Sequence, residues 1–250
     1  MTRDLDKRLH RFVEGWRSKT RFSLNDLAAV CDEFSRLLQR NAVAERTTAP
    51  RVNILKVLNL GHDEMRHSRM LAWMLDPHET HAQGTLFIKG FLSAIKLNDR
   101  IDEYIPEERE NGARGEDIEV FRERPGRIDL AVIAKERFAI FVENKVRAGE
   151  QQDQLERHWD TLNEYAEREW QIPPTNRHLV FLTPTGRAPS SLYSQLRFPQ
   201  LIQLGFDALC QAFREAASSE ACRSDYVRRL ILDYVAEVER VVTKMRDGDV

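Results

Sequence analysis

The chain has 250 residues, 42% hydrophobic and 31% charged, with a formal net charge of −2. This length allows one large domain or two small ones, and this balance can fill a core. The charge weighs against a polycationic nucleic-acid coat, and no run approaches the ~20 apolar residues of a membrane span. The opening MTRDLDKRLHRF lacks the apolar stretch of a secretory signal, and Cys31, Cys210 and Cys222 have neither disulfide nor zinc spacing, so the expected compartment is the reducing cytoplasm. The charge is uneven: residues 99–123 are rich in acid, whereas 171–206 carry none and hold Arg177, Arg187 and Arg197. Such a face can attract phosphate, although three solvated arginines are an equal reading.

The first part reads as helical. SLNDLAAVCDEFSRLLQR has Ser23 as an N-cap with Asp26 three residues on, and apolar residues at helical spacing from Leu24 to Leu38. RVNILKVLNL continues helical after Pro50, EMRHSRMLAWMLDP is a helix stopped by Pro77, and GTLFIKGFLSAI begins another near Gly84. The pattern then changes. EDIEVFRE alternates as a half-exposed strand does, while RIDLAVIA and RFAIFVENKV are continuous apolar strands around a KER turn, with Pro125-Gly126 before the first. Continuous apolar character predicts burial on both faces. GEQQDQLERHWDTLNEYAERE is a polar amphipathic helix, RHLVFLTPTG a short buried strand, LIQLGF a candidate further strand, and SDYVRRLILDYVAEVERVV a closing helix. The expected fold is α/β, a mixed sheet flanked by helices, with a helical N-terminal extension (1–49) on one main domain (50–250).

The acids in the most strand-like segment need a reason. Glu143 and Lys145, two apart on a strand, share a face, and the short KER connection brings Asp129 opposite the end of the next strand. Two carboxylates and an ammonium then meet at one end of the sheet, where unpaired burial costs several kcal/mol per charge. A divalent cation resolves this: Mg²⁺ takes carboxylate and carbonyl oxygens and keeps several waters, so Asp129, Glu143 and the backbone carbonyl of Asn144 can hold it beside Lys145, an arrangement suited to hydrolysis of a phosphodiester. A plain ion pair of Lys145 with either acid is the alternative from spacing alone.

GRIDLAVI…FAIFVENKVRAGEQQDQL resembles the core of the PD-(D/E)XK nuclease superfamily, and NILKVLNLGHDEMRHSRMLAWMLDPHETHAQGTLFIKGFL resembles the upstream part of a bacterial branch with an E-x-x-H-S helix. The likeness spans about residues 50 to 185. It implies a restriction-endonuclease-like αβββαβ core and a metal-dependent phosphodiester hydrolase, an endonuclease before an exonuclease. It implies Mg²⁺, with Mn²⁺ as substitute, held by Asp129 and Glu143 with the Asn144 carbonyl, Lys145 assisting the water, Glu64 joining through water, and Gln154 positioning phosphate or water. The substrate it implies is nucleic acid, DNA before RNA, with Arg147, Arg177 and Arg187 as candidate phosphate contacts and a role in defence against foreign DNA or in repair. An exonuclease branch has Gln-x-x-x-Tyr where this chain reads QLERH, so His158 stands at the tyrosine position; Ile128 stands where the family name has Pro. An RNA nuclease and a non-catalytic interaction module of the same fold are the alternatives. A homodimer or an activating protein partner is compatible with the modest overall charge.

Other constellations fit less well. His62, Glu64 and His67 lack the i, i+4 histidine spacing of a zinc peptidase helix, and His67 is expected to pack at the helix start. No G-x-x-x-x-G-K-[ST] loop is present, and Trp16, Trp73, Trp159 and Trp170 read first as core aromatics before base-stacking platforms.

Overall fold

The computed structural model describes residues 53–57, 63–106, 117–146, 153–189 and 201–247, together with Asp32, Ser35 and Arg36. The chain divides into two compact units, Met1–Val52 and Asn53–Val250. In the first, the three described positions are helical; the rest of the predicted Ser23 helix lies outside the described residues.

The second unit is built on a five-stranded sheet in the order β1-β2-β3-β4-β5, with β1 Ile118–Phe121, β2 Leu130–Ala134, β3 Phe138–Asn144, β4 Arg177–Thr183 and β5 Leu201–Gly205. β1, β2 and β3 form an antiparallel meander; β3, β4 and β5 run parallel. The predicted mixed sheet with flanking helices is therefore present, extended by β5. All residues of β2, β3 and β4 are buried, whereas β1 alternates, because the inner strands are covered on both faces and the edge is not.

Alternation along the strands divides the core in two. Leu130, Val132, Ile140, Val142, Val180 and Leu182 face one side. There they meet α2 (Glu64–Leu75), α3 (Leu86–Ala94), α6 (Phe206–Ser218) and α7 (Asp225–Asp247). Ala131, Ile133, Ala139, Phe141, Leu179 and Phe181 face the other side and meet α5 (Gln154–Arg168) through Leu155, Leu162 and Ala166. Two short helices complete the described set, α1 (Ile54–Val57) and α4 (Ile101–Tyr104). Asn53 caps α1 through its Oδ1, which accepts from the amides of Leu55 and Lys56, and its Nδ2 donates to the Asp233 carbonyl of α7 at 2.7 Å.

α2 matters most for the site. Asp63 caps it, accepting from the Arg66 amide at 3.1 Å, and Asp76-Pro77 ends it, since Pro77 cannot donate to a further turn. Leu71, Met74 and Leu75 anchor it in the core at i, i+3, i+4 spacing. This sets Glu64, the first helical residue, against the end of β3. His67 is held in the interior, its Nδ1 3.0 Å from the Tyr234 hydroxyl, so it packs as expected. Among the described residues no helix is long and apolar enough to cross a membrane.

Candidate active site

The β2–β3 register pairs Leu130 with Val142, so one further step places Asp129 opposite Glu143. The two acids meet at the carboxyl end of β3, the end where α/β sheets bind ligands. Both lie on the α5 face, with Lys145 one alternation beyond. Asn144, between them, points to the α2 face, where its Nδ2 donates to the Glu64 carbonyl at 3.1 Å and approaches Ser68 Oγ at 3.3 Å.

Glu143 is 1% exposed. Its Oε1 receives two hydrogen bonds, from Lys145 Nζ at 2.7 Å and from Gln154 Nε2 at 2.7 Å. His158, one helical turn after Gln154 on α5, brings its Nε2 to 3.1 Å from Glu143 Oε2. That contact is close enough for an ion pair but misaligned for a hydrogen bond, so both atoms count as unpaired. Asp129 Oδ2 accepts the Asn144 amide at 2.8 Å. Glu64 Oε1 accepts the Val146 amide at 2.7 Å, which ties the start of α2 to the chain just beyond Lys145.

Burial, and then the adjacent Glu143 charge, push the Asp129 carboxyl up to about 6. Burial pulls the Lys145 ammonium down, but its hydrogen bond to Glu143 and the charges of Glu143, Asp129 and Glu64 outweigh this, and the net shift is upward. Lys145 is therefore a fixed cation at neutral pH and Asp129 a strained anion.

The unsatisfied atoms are concentrated here. Among the described residues, the buried side-chain nitrogens and oxygens without a hydrogen-bond partner are Glu143 Oε2, Asn144 Oδ1, Gln154 Oε1 and both ring nitrogens of His158. Each such group costs about 1–3 kcal/mol, and a cluster of them marks a place built for something more than packing. No group of three or more His, Cys, Asp or Glu side chains arranged to hold a metal occurs among the described residues. The donor set nevertheless fits a hard cation: oxygens of two carboxylates, one with a free edge, close to a third carboxylate whose charge both Asp129 and Lys145 sense. Mg²⁺ needs only one or two protein carboxylates, with water and substrate oxygens completing its shell.

Of the predicted site residues, Asp129, Glu143, Asn144, Lys145, Glu64 and Gln154 are brought together. Arg177 is not. It begins β4, in register with Ala139 at the opposite end of β3, and its guanidinium is committed to the Ile172 carbonyl at 2.7 Å and to Asn163 Oδ1 at 3.0 Å. At 8% exposure it fastens the end of α5 to the sheet and is withdrawn as a phosphate contact. Arg187 is exposed just past the end of β4, with its guanidinium 5.3 Å from the ring centroid of Phe181, the residue paired with Glu143. Arg147 lies outside the described residues, as does His62. His158, noted in the sequence only as standing at the tyrosine position of an exonuclease motif, proves to be part of the site. The i, i+4 spacing from Gln154 was visible, but that a histidine there is buried against Glu143 follows only from how α5 packs.

Comparison with known proteins agrees with this geometry. No curated protein and no solved structure matched the chain. The family model of the PD-(D/E)XK nuclease superfamily matches residues 52–236, more than half of the chain, a span holding all five strands and every residue of the acid cluster. The chain belongs to the PD-(D/E)XK nuclease superfamily.

Proposed function

We propose that this protein is a Mg²⁺-dependent nuclease that hydrolyses phosphodiester bonds, in DNA, by endonucleolytic cutting. The observation that carries the reading is the convergence of Asp129, Glu143 and Lys145 at the end of β3 with the unsatisfied atoms of Glu143, Asn144 and Gln154 around them. A structural ion pair accounts for Lys145 and Glu143 alone. It leaves the raised Asp129 carboxyl, and a Glu143 Oε2 that receives no hydrogen bond, without a purpose.

In this reading Asp129, Glu143 and the Asn144 carbonyl would hold the metal, with Glu64 in support. A cation held there would make a coordinated water more acidic and offset charge on the phosphate. Lys145, kept protonated by its acidic neighbours, cannot take a proton from the water. Its ammonium instead donates to the non-bridging oxygens where negative charge grows. Gln154 and His158 orient Glu143 from α5, Gln154 by a hydrogen bond at 2.7 Å and His158 by contact at 3.1 Å. Arg187 and Arg147 are the candidate phosphate contacts.

The test is cleavage of supercoiled plasmid, linear duplex, single-stranded DNA and RNA with Mg²⁺, with Mn²⁺ and with EDTA. Cutting of DNA that requires the metal supports the reading. Cutting of RNA alone replaces DNA by RNA on the same site, and metal-independent cutting rejects the metal role.

Gln154→Ala removes one donor to Glu143 Oε1 while leaving Lys145 in place. Residues that orient a metal-binding carboxylate typically account for about 10- to 100-fold in activity, and this loss is expected in kcat, with helix content unchanged by circular dichroism. Turnover equal to wild type would show that Glu143 needs no support from α5.

A further inference from the structure

β1, the loop that follows it and the C-terminal part of α5 enclose a cleft of about 450 Å³ separate from the acid cluster. Phe121, Tyr165 and Trp170 supply its apolar walls, and Pro125 and Gly126 its lip. Phe121 is 37% exposed, although it is a large apolar side chain on a strand. The Tyr165 and Trp170 rings lie 5.4 Å apart at 32°, and Trp170 is braced edge-on against Phe141 of the core. Arg124 and Lys135 line the same cleft, both exposed.

The loop is held in place. Gly126 has φ +68, and a Cβ there would lie 2.8 Å from the Thr161 side chain of α5, so only glycine lets the loop sit this close. Arg124 and Arg127 flank it, and Asp129 follows two residues after Arg127. The cleft lies on the α5 face of the sheet, the face that also carries Asp129 and Glu143. Along α5, eleven residues separate Gln154 from Tyr165, about 16 Å of helix. That is about five nucleotides of stacked strand at ~3.4 Å each.

We propose that this cleft binds an unpaired stretch of the nucleic-acid substrate, with a base stacked against Phe121 and Tyr165 and the adjoining phosphates held by Arg124 and Lys135. The inference rests on the nuclease reading of the acid cluster. Bases in a duplex cover one another's faces, so only an unpaired base can use an aromatic wall. Glu119 and Glu169, also at the cleft, repel a second backbone but can accept hydrogen bonds from the amino group of a base edge. Aromatic walls, two cations and two peripheral acids therefore suit one strand and reject two.

Fluorescence anisotropy of the full chain in EDTA, where cleavage is excluded, tests this. The probes are a labelled mixed-sequence single-stranded 20-mer and a blunt duplex of the same sequence. Wild type is expected to bind the single strand more tightly, and Phe121→Ala and Arg124→Ala each to weaken that binding by about 10-fold. Arg124 is exposed and Phe121 partly so, and circular dichroism with a thermal melt checks that both variants fold. Equal affinity for the two probes, no binding of the single strand, or unchanged affinity in both variants overturns the proposal. Failure of the acid-cluster reading appears elsewhere, as absence of metal-dependent cutting by wild type.

Discussion

Lys145→Ala is expected to lower metal-dependent cleavage by about 10²- to 10³-fold and, unusually for an active-site truncation, to destabilise the metal-free protein. The activity loss follows from removing a fixed cation aimed at developing charge, a change of that size in other preorganised sites. The stability loss follows from burial. Glu143 is 1% exposed and Lys145 9%, with Nζ and Oε1 2.7 Å apart. Removing one partner of a buried ion pair typically costs about 3–5 kcal/mol, because the other charge is left uncompensated. Gln154 still donates to Glu143, so the lower end of that range applies. Thermal melts without metal and cleavage rates with it measure the two effects separately. Mg²⁺ should raise the melting temperature of the variant, because a cation beside Glu143 replaces the charge that was lost. Wild-type cleavage by the variant would remove Lys145 from the chemistry. Unchanged metal-free stability would mean that Glu143 is not held as an anion there.

The parts legible in the sequence were those where one physical demand acted alone. β2, β3 and β4 are buried on both faces, so their runs are continuously apolar, and the charges that interrupt them at Asp129 and Glu143 stand out for that reason. The hairpin register followed from the three-residue KER turn. β5 is half-buried and carries Gln203, so LIQLGF reads only weakly as a strand. α6 carries a helical pattern that went unread: Phe206, Leu209, Cys210, Phe213 and Ala217 recur at helical spacing, but the helix starts directly from β5 with no capping side chain to mark its first turn. Arg177 shows the opposite error. An arginine in an acid-free stretch looks available to phosphate, but at the first position of a buried strand it is turned inward to satisfy the Ile172 carbonyl. Patterns of residue type report which face is wet; they do not report which partner a long side chain finds.

Asp129→Asn separates what the site does from what it costs the fold. Burial and the Glu143 charge hold the Asp129 carboxyl at about 6, against ~3.9 for an unperturbed aspartate. Between those values the folded chain binds a proton that the unfolded chain has released. Stability is therefore full below about pH 4, falls as pH rises through about 6, and is lowest at neutral pH. A rise of that size corresponds to roughly 3 kcal/mol, but Asp129 is partly exposed, and screening brings the expected effect to about 1–2 kcal/mol. Asparagine keeps an acceptor for the Asn144 amide and removes the charge. Without metal at pH 7.5 the variant is expected to melt about 2–6 °C above wild type, with the difference gone near pH 4. Mg²⁺ should then stabilise wild type more than the variant, because only wild type has mutual repulsion of Asp129 and Glu143 for a cation to relieve. Cleavage by the variant should fall about 10²-fold or more. A variant that melts below wild type at pH 7.5 would show that the two carboxylates are not in conflict, and one that cuts at the wild-type rate would show that Asp129 holds no metal. A carboxylate whose removal stabilises the resting protein and abolishes its chemistry is kept for the chemistry, since packing alone would favour its loss.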